Sequence, residues 1–351
     1  MDGQLGKIAH TFFDQLVKTR LGASRQDVIA GPQFGVDVSL IDLSEGNALV
    51  LASDPLSLIP SLGLEESAWL SVHLLANDIA TTGFAPQFGQ FVLNLPAGFP
   101  KADFDVYWDY IHRFSQEIGL AITGGHTGFV EGQNSTIAGG ATFATIAQKE
   151  KIKLSKNAQL GDSILVTKSA AVSAVAILAR SFPVTVKNKA GNEIFHAAAG
   201  SFDQLSSLKD ALLAVGSPQA AADVSAMHDV TEGGILGAIY EMVVASGLGA
   251  KIYNEKLPIH DVQQQVSQLF DLDPRYIVGA GSMIISVPQA KATSVIQRLA
   301  SGNIPCVEVG RIGKKDEGIK LIEGGTEKEL IYHAEDPYWA AFFNALKSGW
   351  K

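Results

Sequence analysis

The sequence predicts an α/β protein made of two similarly built halves. Strands with period-two alternation interleave with helices of period 3.6 along the whole chain. Its 351 residues, 46% of them hydrophobic, suffice for the cores of two domains of ordinary size. A polar run, Gln148-Lys149-Glu150-Lys151, separates halves that each hold two main helices, so the expected division is 1–150 and 151–351.

Composition narrows the function classes. A formal net charge of −9 repels polyanions, and no Lys/Arg run or basic-aromatic interleaving offsets it, which excludes nucleic acid as a partner. A phosphate ligand would arrive with a metal that neutralises both sides. Cys306 is the sole cysteine, so there is no intrachain disulfide framework and no multi-cysteine zinc or iron-sulfur site; between Pro305 and Val307 it reads as a buried strand residue. The N-terminus has no basic-then-apolar leader, and no apolar run reaches about 18 residues. The expectation is a soluble, cytoplasmic protein with no membrane partner.

Taken in order, Leu5, Ile8, Phe12, Leu16 and Val17 form the apolar face of an opening helix, with Lys7 and His10 on its polar face and Gly22 as its stop. A Gly/Pro loop, 27–37, leads through Gly35 and Asp37 into a strand with Val36, Val38 and Leu40 on one face. A second strand, Ala48 to Ser53, ends at Asp54-Pro55, where an aspartate also suits a turn. The following helix carries Leu64, Ala68, Val72, Leu75, Ala76 and Ile79 as an apolar stripe; Ser67, Ser71, Asn77, Asp78 and Thr81 fall elsewhere, and Gly83 stops it. Asp78 in the last turn opposes the helix dipole by roughly 0.3–1 kcal/mol, a penalty that a bound cation would remove.

A strand from Gln87 to Leu95 and a helix from Phe104 to Gly119 come next. Leu120 to Thr123 reads as a strand that stops at a glycine-rich turn, Gly124-Gly125-His126-Thr127-Gly128, whose amides could face an oxyanion. His126 there suits a ligand, a base, or a histidine bonded to nearby backbone. Thr136 to Ala147 is a long strand. In the second half, Gly161 to Ser169 is no P-loop, because Thr167 stands where a glycine is required before the lysine. Ala170 to Arg180 and Phe202 to Val215 are helical by pattern. His228-Asp229-Val230-Thr231-Glu232-Gly233-Gly234 opens a helix bearing Ile235, Leu236, Ile239, Met242 and Val243. Paired glycines and acids at a helix N-terminus suit a ligand, or a capping arrangement through Asp229 or Thr231. Met283 to Val287 and Cys306 to Val309 are strands flanking a helix from Ala290 to Leu299.

Gly35-Val36-Asp37, Ser53-Asp54-Pro55, the run Ala76 to Pro86, Gly124-Gly125-His126-Thr127 and His228 to Gly234 together resemble one superfamily, in order and spacing, over residues 20 to 315. It contains aminoimidazole ribonucleotide (AIR) synthetase, thiamine-monophosphate kinase, selenophosphate synthetase and the hydrogenase maturation protein HypE, and the chain looks like its HypE-like, AIR synthase-related branch. The resemblance implies a two-domain, PurM-like α/β fold. Its N-terminal domain would pair with a second copy as a dimeric β-barrel, with ATP and magnesium in the cleft. By the same resemblance Asp37, Asp54 and Asp78 hold the metal. Gly35, Asn77, Gly124, Gly125, Thr127, Thr231, Glu232, Gly233 and Gly234 line the nucleotide, Asn77 by supporting Asp78, and His126 or Asp229 handles the proton.

The departures matter. HypE has an acid where His126 stands and an arginine at the Glu232 position, while Ser173 replaces an expected glutamate, so the acceptor cannot be carried over from any one relative. The implied activity is Mg-ATP-dependent phosphate transfer to, or activation of, an oxygen of a small-molecule substrate. The alternative is a nucleotide-binding or partner-binding protein without turnover. The carbamoyl-to-cyano dehydration of HypE uses a cysteine on a mobile C-terminal tail. Here the last residues are Lys347-Ser348-Gly349-Trp350-Lys351, and Asp336 to Phe343 reads as a docked helix, so that reaction is not expected.

Overall fold

The structure, a computed structural model, describes residues 10–217, 221–333 and 335–351; Leu5, Lys7 and Ile8 of the expected opening helix lie outside the described residues. Within them, α1 (His10–Phe12) passes into a π-helical turn over Phe13–Val17.

The first domain is one sheet backed by two helices. Its strands are β1 (Val28–Ala30), β2 (Ser39–Asp42), β3 (Asn47–Ser57), β4 (Phe88–Pro96), β5 (Ala121–Val130) and β6 (Ile137–Gln148), in the spatial order β1-β2-β3-β6-β4-β5. The β4–β5 pair is parallel and the other pairs are antiparallel. Alternate residues Val50, Ala52, Phe91, Leu93 and Phe143 point inward, against Val72, Leu75 and Ile79 of α2 (Leu64–Ala80) and Tyr107, Ile111 and Phe114 of α3 (Lys101–Glu117). Among the described residues the sheet does not close on itself: β1 and β5 are its edges. The long strand β6 is internal, hydrogen-bonded on both sides, so of the two long strands β5 and β6 it is β5 that leaves an open edge.

The second domain is a seven-stranded sheet of β7 (Ser163–Thr167), β8 (Ala226–Asp229), β9 (Gly249–Tyr253), β10 (Met283–Val287), β11 (Cys306–Gly313), β12 (Ile319–Glu323) and β13 (Thr326–Glu329), ordered β13-β12-β9-β11-β7-β10-β8. It is covered on both faces, which accounts for the unbroken apolar runs of β7 and β10. A helical layer of α4 (Val172–Ser181), α5 (Pro183–Ala190) and α6 (Asn192–Gly200) follows β7. α7 (Leu208–Val215) and α10 (Ala292–Ser301) pack on Leu165, Met283 and Ile285. α8 (Gly234–Ala245) packs on Ile164, Val166 and Ile284 of the opposite face. α9 (Asp261–Leu269) and the terminal α11 (Pro337–Lys347) join α4 to α6 in a separate core around Phe182, Val266, Tyr338 and Phe342.

Helix α2 lies between the domains, and its burial goes beyond the stripe read from the sequence. Ser67, Ser71, His73 and Asn77 are buried as well, and Leu70 belongs to the α4–α6 core. The Ile59 and Ser57 N–H groups donate to Ser67 Oγ (2.9 Å) and Ser71 Oγ (2.8 Å), so the small polar residues stitch the preceding loop to the helix. Trp69 and His73 stack at 4.0 Å, and Trp69 also meets Phe202 of the second domain. Burial lowers the His73 pKa to about 4. An unfolded histidine titrates near 6.5, so the neutral ring contributes fully above that pH, and the contribution is lost as pH falls through 4. Unfolding by urea should therefore show about 3 kcal/mol more acid destabilisation between pH 6.5 and 4 in the native chain than in His73→Phe.

Candidate functional site at the domain junction

The loop before β2, strand β8 and helix α8 converge on one buried histidine. Asp37 Oδ1 lies 3.2 Å and Asp229 Oδ1 3.7 Å from His228 Nδ1, and Glu241 Oε2 lies 3.2 Å from Nε2. The His228 side chain is 1% exposed, and the three carboxylates are nearly as buried. Burial works against the imidazolium, but the charge of Asp37 and the contacts with Asp229 and Glu241 outweigh it and raise the pKa to about 10. His228 is therefore a cation at neutral pH, held mainly by charge: among the described residues neither ring nitrogen has a well-directed hydrogen-bond partner. Asp37 Oδ2 accepts from Ser155 Oγ (2.8 Å), and Glu241 Oε1 accepts from Tyr332 Oη (2.7 Å).

Gly35 holds this arrangement rather than a ligand. It has φ +71°, and a Cβ there would fall 2.4 Å from the Glu241 carbonyl oxygen, so only glycine lets the loop reach α8 and deliver Asp37. Asn77 is likewise committed to protein: its Nδ2 donates to the Leu205 carbonyl (3.0 Å), and the Ser207 N–H donates to its Oδ1 (2.7 Å). Those partners interrupt the helix expected from Phe202 to Val215, leaving a 3₁₀ turn at Ser201–Gln204 and α7 from Leu208. Asn77→Ala would strand both backbone groups in a buried interface. We expect about 2–4 kcal/mol of destabilisation in urea unfolding, with the secondary structure of each domain intact by circular dichroism.

The expected metal carboxylates are not gathered as one set. Among the described residues, the group of three or more His, Cys, Asp or Glu side chains with ligand atoms within 4.8 Å is Asp37, His228 and Asp229. Asp54 is paired to Ala141 in β3 and Asp78 sits in the last turn of α2, while His228 draws Asp37 toward the second domain.

The glycine-rich turn is also corrected. β5 runs straight through Gly124 to Gly128 in parallel register with β4. A Cβ on Gly125 would fall 1.8 Å from the Phe91 carbonyl oxygen, so the glycine serves close strand pairing instead of an amide nest. His126 and Thr127 are exposed on this edge strand beside a cavity of about 440 Å³ lined by Phe91, Trp108 and Thr123. His126 is four strand spacings from β2, about 19 Å along the sheet.

At the start of α8 the protein supplies its own ligands. A Cβ on Gly234 would fall 2.5 Å from the Arg275 carbonyl oxygen, so this glycine admits neighbouring backbone. The Gly233 N–H donates to Asp336 Oδ2 (3.0 Å), whose other oxygen caps α11 at the Tyr338 N–H (2.9 Å). Burial, with the charge of Glu232 adding, lifts the Asp336 carboxyl to about 6 against these two amides. Thr231 and Glu232 stay half-buried beside it. Sequence reasoning assigned no role to His228, Glu241, Ser155 or Asp336; the available signal was Glu241, an acid inside the apolar run Ile239 to Val244.

A family model described as AIR synthase related protein, N-terminal domain, matches residues 35–144, and its C-terminal counterpart matches 159–322. Carbamoyl dehydratase HypE of Azotobacter vinelandii is 26% identical over 232 residues, 66% of this chain and 64% of that protein. HypE of Cupriavidus necator is 26% identical over 246 residues, 70% of this chain and 66% of that protein, so the matches span just under two thirds of these curated relatives. A solved structure of the hydrogenase maturation protein HypE in complex with ATP has the same fold, with a TM-score of 0.65 at 17% identity over 95% of this chain and 97% of that one. The two domain matches take in most of both sheets and the four side chains that meet at His228, and the chain belongs to the AIR synthase related family, as a HypE-like member.

Proposed function

We propose that the protein binds ATP with magnesium at the junction of its two domains, and uses it to phosphorylate or activate an oxygen of a small-molecule substrate as a homodimer. The observation that supports this reading most is the buried meeting of Asp37 from the first domain with His228, Asp229 and Glu241 from the second. Asp37, Asp54 and Asp78 are the hard oxygen donors that would hold magnesium, whose bound charge neutralises phosphate oxygens. Oxygens on one magnesium lie at most about 4.2 Å apart. No group of three within 4.8 Å includes Asp54 or Asp78 among the described residues, so the three carboxylates would serve phosphate-linked ions rather than share one.

His228, protonated throughout the neutral range, cannot take a proton; it orients Asp37 and offsets the acids around it. Asp229, beside it, is the proposed proton handler in preference to His126. Gly124, Gly125 and Thr127 lie on the open edge β5, where a second copy would meet them. The exposed outer-face side chains Phe88, Val92 and Ile146 give that copy an apolar surface. We expect a solution mass of twice the 37.2 kDa chain at micromolar concentration; a monomer alone would count against the dimer.

Cys306 is not proposed as an acceptor, because burial, with Asp210 adding, pushes its thiol up to about 12. The test of the reading is ADP formation with and without a panel of small metabolites, expected to be metabolite-dependent. ATP binding with no turnover under any condition would favour a nucleotide-binding protein without catalysis, a reading supported by the engagement of Asp37 and the Gly233 N–H with protein groups.

A further inference from the structure

Away from the His228 cluster, β7 is followed by Lys168, whose ammonium is enclosed by oxygen. Nζ lies 3.0 Å from the Gln204 carbonyl, 2.7 Å from those of Ser206 and Gly281, and 2.9 Å from Asp210 Oδ2. An ammonium has three protons. Four oxygens at hydrogen-bond distance therefore surround it as they would a spherical ion, and a ring of carbonyls is how proteins replace the hydration shell of potassium.

The enclosure is built rather than incidental. Lys168 is in the left-handed region, with φ +56°. Gly281, at φ +109°, has no room for a Cβ, which would fall 2.3 Å from the Gln204 oxygen, so the two carbonyls converge only because a glycine stands there. The side chains of Lys168 and Asp210 are 9% and 1% exposed. Burial lowers the ammonium and raises the carboxyl, and their mutual attraction opposes both shifts. Two of the three carbonyls come from the 204–206 segment, where Leu205 and the adjoining Ser207 are gripped by Asn77 and Ser206 Oγ lies 3.1 Å from His73 Nδ1.

We propose that Gln204, Ser206, Gly281 and Asp210 form a monovalent-cation site that the chain fills with the tethered ammonium of Lys168, organising the segment on which the two domains dock. Two consequences follow: the native chain needs no potassium for its stability, and removing the side chain opens a site for potassium or ammonium. This inference does not rest on the ATP reading.

The experiment is thermal unfolding of the full chain and of Lys168→Gly and Lys168→Met, in potassium, ammonium, lithium and tetramethylammonium chlorides at equal ionic strength. Glycine accepts the left-handed backbone without strain, and methionine keeps the bulk of the stem without the charge. The native chain is expected to melt alike in all four salts. Lys168→Gly should melt lower in lithium and tetramethylammonium. In potassium or ammonium it should rise on the order of 5 °C, saturating with concentration. Lys168→Met should be destabilised with no such selectivity. The proposal is overturned if Lys168→Gly responds equally to every salt, responds to none, or stays unfolded in potassium and ammonium. It is equally overturned if the native chain or Lys168→Met shows the same selective rise.

Discussion

His228→Leu is expected to lower the unfolding free energy by about 3–5 kcal/mol, read from the urea midpoint by circular dichroism. The substitution leaves Asp37, Asp229 and Glu241 facing a buried position with no cation between them. Adding Glu241→Gln to the variant should restore part of the loss, since one uncompensated charge is removed. The pH dependence carries a second signature. The His228 pKa is raised to about 10 in the folded chain against about 6.5 unfolded, so the native state holds the extra proton between those values. Its contribution is complete below pH 6.5 and is lost as pH rises through 10. The native chain should weaken over that window, and His228→Leu should lack this component. An unchanged midpoint in the variant would mean that the four side chains do not act as a charged unit.

Asp78→Asn is expected to weaken Mg-ATP binding on the order of 100-fold while the fold survives, because the amide keeps the shape of the carboxylate and removes the charge of a hard ligand. The Asp78 main-chain carbonyl, which accepts from Thr81 Oγ1 (2.7 Å), is unchanged by the substitution. Calorimetry of Mg-ATP binding is the measurement, and equal affinity in the variant would remove Asp78 from the metal site. The contrast with Asn77→Ala is informative: adjacent residues on one helix turn should separate, one costing stability and the other nucleotide affinity.

Much of the local structure was legible in the residues themselves. The alternation in β3 and β6, the stop of α2 shortly before Gly83, the buried strand at Met283–Val287 and the amphipathic helix after Asp336 all follow from periodicity and punctuation, which act within a few residues. The gathering of conspicuous acids and glycines near the ends of elements was legible too, and with it the family.

The partner of each of those residues was decided only by the tertiary structure. Gly125, Gly233 and Gly234 looked like ligand cradles because a missing Cβ permits close approach, yet sequence does not say what approaches; the chain's own backbone and Asp336 take those places. Asn77 looked like support for Asp78 and instead bonds Leu205 and Ser207, more than a hundred positions away. His228 stood inside a motif with no role of its own, since its positive charge depends on carboxylates brought from the loop before β2 and from α8. Periodicity and turn chemistry are properties of neighbours in the chain, so the sequence by itself determined the elements. Charge state and hydrogen-bond partnership arise between residues that only the packed fold brings together, and those the tertiary structure decided.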